Sequence, residues 1–134
     1  MANVLVIQRH AHLATEVRIE YPGDTEARIA KATLVAISNT RWGSGESRSQ
    51  KATVIRWTVW GAQAENAATY LGQGSHVNVV GRVSNSSYVK DGVTQHLLEF
   101  TAEEIDYLDS KADAEARRAA NDVRQPDRHH GGKN

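Results

Sequence analysis

Trp42, Trp60 and Tyr88 each sit among cations, on or beside segments that read as β. Arg41 precedes Trp42, and Arg48 and Lys51 follow it in one glycine- and serine-rich stretch. Arg56 lies four residues before Trp60, and Lys90 lies two after Tyr88. A flat ring stacks on any nucleobase, while arginine and lysine neutralise the phosphates that pass it. Together they are the physical means of holding single-stranded nucleic acid without reading its sequence.

Other candidate chemistry is weaker. His129 and His130 stand in a glycine-bearing terminal stretch without the further ligands that a metal site needs. His10 and His12 alternate on a strand-like segment and read as surface groups. Glu103, Glu104 and Asp106 lie at a strand end with no partner nucleophile, and read as a solvated face. Gly72-Gln73-Gly74 is no phosphate loop, since no helix and no Lys-Thr pair follow it. With no cysteine, disulfides and thiolate metal sites are excluded. The sequence therefore shows no catalytic constellation, and it is read as a non-enzyme without metal or cofactor.

These residues need a scaffold. The 134 residues support one domain plus an extension, and a 40% hydrophobic share suffices for a core. Net charge is zero, with acids late (Glu99, Glu103, Glu104, Asp106, Asp109) and cations in the middle (Arg41, Arg48, Lys51, Arg56, Arg82, Lys90). The longest apolar run near the start, Val4 to Ile7, is far too short to span a membrane, so no membrane partner is expected.

Residues 3–8 read as a strand apolar on both faces, covered inside a barrel or by a neighbouring subunit. Residues 16–21 alternate as a half-exposed strand, and Pro22-Gly23-Asp24 signals a turn. Residues 28–38 read as an alanine-rich strand, and 39–50 as a loop. In 52–61, period two sets Ile55, Trp57 and Val59 against Val54, Arg56, Thr58 and Trp60. The apolar set belongs inward, which makes Trp57 core and leaves Arg56 and Trp60 outside. Ala64, Ala67, Ala68 and Leu71 form one stripe of a short helix over 62–71. Residues 75–84 alternate again, and Lys90-Asp91-Gly92 turns between arms at 83–89 and 93–102. Residues 110–122 read as a marginal exposed helix, and 125–134 as disordered.

The order is three strands, one helix, then two strands. That is an all-β, five-stranded OB-fold, a Greek-key barrel with one short helix between strands 3 and 4. It would occupy residues 1–109, followed by a polar, partly or wholly disordered tail over 110–134. In such a barrel the second and third strands and their loops commonly face oligonucleotides, which suits Trp42 and Trp60.

Several segments, in their order, resemble the bacterial single-stranded-DNA-binding protein family over about residues 3–109. They are Glu16-Val17-Arg18, the Trp42 stretch, Arg56 with Trp60-Gly61, and Ala64-Glu65-Asn66-Ala67-Ala68-Thr69-Tyr70-Leu71. Gly74-Ser75, Val80-Gly81-Arg82 and Ala102-Glu103-Glu104-Ile105-Asp106-Tyr107-Leu108-Asp109 complete the set. The resemblance implies a base-stacking role for Trp42, for Trp60 where the family usually has phenylalanine, and for Tyr88 where it often has tryptophan. Val54 stands where many members stack another tryptophan, Ile55 where a polar residue joins subunit contacts, and residues 8–14 lack the usual glycines. The final residues lack the acidic tail and hydrophobic tip through which the family recruits other proteins, so that recruitment is not expected.

The resemblance further implies a cytoplasmic, nucleoid-associated homotetramer that protects single-stranded DNA during replication, recombination, repair or DNA transfer. The alternative is a primosomal replication protein of the same fold, usually a dimer, which bridges other proteins to DNA.

Overall fold

A computed structural model describes residues 4–23, 29–43 and 49–124. Asp24, Arg28, Arg48 and the segment 125–134, which the sequence reading places in a turn, a strand, a cationic stretch and a tail, lie outside the described residues. The elements run β1 (Val4–Leu13), β2 (Arg18–Glu20), β3 (Lys31–Trp42), β4 (Ser49–Trp60), α1 (Ala62–Tyr70), β5 (His76–Lys90), β6 (Val93–Tyr107) and α2 (Lys111–Arg124). The sheet order is β1-β5-β6-β4-β3-β2, and a further β1–β3 pairing closes five of the strands into a ring. The short β2 adds to β3 outside that ring. Four strand segments thus precede α1, yet the five-stranded OB barrel stands, with its helix between the third and fourth ring strands.

Alternation decides what fills the barrel. Leu34 faces Trp57 across β3–β4, with Ala32 opposite Val59 and Ala36 opposite Ile55. Small alanines beside one large indole keep the interior dense without overpacking, which explains why β3 is alanine-rich. Trp57 is fully buried and meets Phe100 edge-on at 5.8 Å. Its Nε1 donates to Gln8 Oε1 at 2.8 Å. The Gln8 amide in turn donates to the Ala36 carbonyl at 3.1 Å and to Ser38 Oγ at 3.2 Å. The one buried amide beside the indole is thereby satisfied. Gly81 sits at a register shift in β5, where an added Cβ would lie 2.1 Å from the Thr101 carbonyl and 2.7 Å from the Trp57 ring. Only glycine lets the two strands close over the tryptophan.

Two elements depart from the sequence reading, and at a third, one of its two alternatives drops out. The 39–50 loop is largely hairpin, because β3 and β4 stay paired out to Trp42 opposite Ser49. Backbone hydrogen bonding carries a ribbon past the core, where polar side chains are wet on both faces. In β1, Val4, Leu5 and Ile7 are exposed in the single chain, so the barrel does not cover them. The expected marginal helix is α2, and it is docked through Arg117, whose side chain is only 12% exposed.

Candidate nucleic-acid interface

Register across the sheet brings distant residues to one surface. Thr58 pairs with Thr33 in β3 and, in parallel, with Thr101 in β6. Thr101 pairs with Arg82, and Thr33 with Arg18. Directly opposed residues point to the same side of a sheet. Arg82, Thr101, Thr58, Thr33 and Arg18 therefore form one row across five strands on the outer face. Steps of two along each strand add Arg56, Trp60 and Arg41 on the β3–β4 side, and Tyr88 and Lys90 on β5. Six of the nine residues singled out from the sequence share this outward phase, which in a closed barrel follows the curve of the ring from β5 round to β2.

Near Arg18 and Arg56 the face deepens into an open groove of about 840 Å³, whose wall includes Glu16, Thr33, Val35 and Gln73. Trp60 is 44% exposed, and Lys31, directly opposite in register, holds its Nζ 5.5 Å from the ring centroid. That is cation–π range. Lys31 also reaches Glu20 at 4.0 Å. Arg82 is paired, its Nη1 donating to Glu103 Oε2 at 2.9 Å, so a phosphate would have to compete for it. Arg41 Nε donates to Gln50 Oε1 at 3.1 Å.

The other three residues differ. Trp42 and Lys51 fall on the opposite phase of the β3–β4 ribbon, the phase that carries Trp57 deeper in. Trp42 remains 51% exposed because the ribbon has outrun the core. Arg48 lies outside the described residues. Arg18, Lys31 and the threonine row escaped the sequence reading as site residues. The outward alternation of Arg18 and Lys31 was a usable signal, but their neighbours across the sheet were not.

A second cluster lies at the barrel seam. His10 has φ 52°, at the bulge between Gln8 and Ala11, and its backbone N–H donates to Asn78 Oδ1 at 2.9 Å. Its Nδ1 lies 3.3 Å from His76 Nε2, and His12 stacks on His76 at 4.6 Å. Burial and the two neighbouring imidazoles lower the His76 pKa below its ordinary value, against a raising effect of Asp109. His10 and His12 are exposed, as the sequence reading has them, and meet His76 in a trio of rings. Among the described residues, no group of three or more His, Asp or Glu is arranged to hold a metal ion. Burial, with Tyr70 beside it, raises the Tyr107 pKa.

An OB barrel with stacking rings and cations on its β-face defines a class of single-stranded-nucleic-acid binders. The model of the Single-strand binding protein family matches residues 10–108, and the chain belongs to that family, one of non-enzymatic DNA-binding proteins. It is 33% identical over 110 residues to single-stranded DNA-binding protein 3 of Clostridium acetobutylicum, covering 81% of this chain and 72% of that one. Single-stranded DNA-binding protein 1 of the same organism is 32% identical, with 85% and 99% covered. Single-stranded DNA-binding protein B of Bacillus subtilis is 34% identical over 86 residues, with 63% and 74% covered. In fold, the chain is similar to a mutant of the single-stranded DNA binding protein from Thermus aquaticus. The TM-score is 0.64 at 23% identity, over 84% of this chain and 53% of that one.

Proposed function

We propose that this chain binds and protects single-stranded DNA, largely without regard to sequence, on the outer face of β2, β3, β4, β6 and β5. The outward strand phase that runs from Arg82 to Arg18 supports the reading, because exposed rings and cations lie on it around the barrel. Trp60 and Tyr88 stack bases there, and Trp42 adds a platform at the end of its ribbon. Arg56, Arg41 and Lys90 neutralise phosphates, joined by Arg18 and Lys31. Arg82 exchanges Glu103 for phosphate, and Arg48 and Lys51 extend the cationic surface.

The exposed Val4, Leu5 and Ile7 of β1 favour a homo-oligomer, and family membership favours a tetramer. Replication, recombination, repair or DNA transfer in the cytoplasm, at the nucleoid, is the setting that membership supports. Among the described residues no helix is long and apolar enough to cross a membrane. The family match does not favour the primosomal bridging alternative.

Titration with oligo-dT tests the reading. Fluorescence of the exposed Trp42 and Trp60 is quenched on binding, and the midpoint weakens as salt rises. An emission spectrum unmoved by excess oligo-dT would reject it.

A further inference from the structure

The helix α2 lies beyond the segment that the family model matches, and its docking on the barrel centres on one side chain. Its start is fixed by a reciprocal cap. The Asp113 N–H donates to Ser110 Oγ at 3.0 Å, and the Ser110 N–H to Asp113 Oδ2 at 3.4 Å. Within two turns Arg117 reaches back to the barrel. Its Nε is buried without a hydrogen bond, 3.7 Å from Asp109 Oδ2. The stem crosses Gly74, where an added Cβ would lie 3.2 Å from Arg117 Cδ. The guanidinium shares a niche with Glu16 at Gly72. A Cβ there would lie 3.0 Å from Arg117 Nη1 and 2.8 Å from Glu16 Oε1.

Glu16 is where this docking meets the groove. Its Oε2 accepts the Gln73 N–H at 3.0 Å, and Glu16 and Gln73 both line the groove that Arg18 and Arg56 also line. An uncompensated carboxylate at that position repels the phosphate that the groove is to receive. We infer that Arg117 is a positioning residue of the DNA groove. The Gln73 N–H holds Glu16 against the 72–74 loop, and the Arg117 guanidinium, in the same niche at Gly72, offsets its charge so that Arg18 and Arg56 set the groove's field. The always-charged guanidinium suits a fixed, partly desolvated counter-charge. The inference rests on the single-stranded-DNA reading and extends the site to an element outside the matched domain.

A charge-neutralisation cycle on the full chain tests it, with anisotropy of labelled oligo-dT at low salt as the readout. R117Q should lose roughly five- to tenfold in affinity, E16Q should bind more tightly than wild type, and R117Q with E16Q should return to within about twofold of wild type. A tightening by E16Q that is larger in the R117Q background than in wild type is what a merely structural Arg117 would not give. Wild-type affinity in R117Q overturns the inference. A double variant as weak as R117Q also overturns it, by assigning the loss to the packing of α2. Failure of wild-type protein to bind oligo-dT removes the DNA reading itself, and is thereby distinguished from failure of the inference.

Discussion

Trp57 and Trp60 lie three residues apart on one strand and meet opposite surroundings. The first is fully buried against Phe100, and its N–H is consumed by Gln8. The second is 44% exposed beneath Lys31, beside a groove lined by Arg18 and Arg56. Residue type does not separate them; strand phase does. The same side chain is packing on one face of β4 and an exposed ring on the other. Inner and outer faces of this barrel should therefore answer to different measurements, stability for the one and affinity for the other.

The largest effects belong to the inner face. Trp57→Ala should cost about 3–5 kcal/mol in urea unfolding, through a cavity and an orphaned Gln8 amide. Gly81→Ala should be as severe without removing an atom, since its Cβ would meet the Thr101 carbonyl at 2.1 Å. A Trp57→Ala protein of near wild-type midpoint would break the distinction at its root.

Trp60→Ala should invert that pattern. Stacking on one base is worth about 1–3 kcal/mol, so oligo-dT affinity should fall roughly five- to 150-fold. The urea midpoint should stay within about 0.5 kcal/mol of wild type. A smaller step sharpens the outer face further. Arg56→Ala should weaken binding evenly across sequences and reduce the log–log salt slope by about one. An unchanged slope would remove Arg56 from the phosphate path.

Much of this contrast is legible in the sequence, for a local reason. Period two in β4 sorts Ile55, Trp57 and Val59 from Arg56 and Trp60 without any knowledge of neighbours. What escapes is set by partners far along the chain. Thr33 and Thr101 join Thr58 only through register, and Arg82 finds Glu103 across 21 residues. Trp42 shows a further limit. Its glycine- and serine-rich context reads as loop, but pairing with β4 holds it in strand geometry on the phase opposite Trp60. Arg117 is the extreme case: its helix looks fully solvated by composition, and its side chain lies close over the bare backbone of Gly72 and Gly74.

The smallest expected effect concerns the seam, where neither face of β4 is involved. Protonating His76 would charge an imidazole 3.3 Å from His10 and stacked on His12, with Asp109 the opposing carboxylate on the β6 side. Burial and these two rings lower its folded pKa from 6.5, while the unfolded chain titrates near that ordinary value. Below 6.5 the unfolded state therefore binds more protons than the folded one, and stability falls with pH. The contribution is whole above 6.5, is lost as pH drops toward the folded pKa, and is flat beyond it. Melting temperature measured between pH 8 and 5 should decline more steeply in wild type than in His76→Gln, by an increment that partial exposure keeps small. Parallel curves would mean that the trio adds no pH dependence. A steeper curve in the variant would reverse the assigned direction, and make Asp109 rather than the two imidazoles the dominant neighbour.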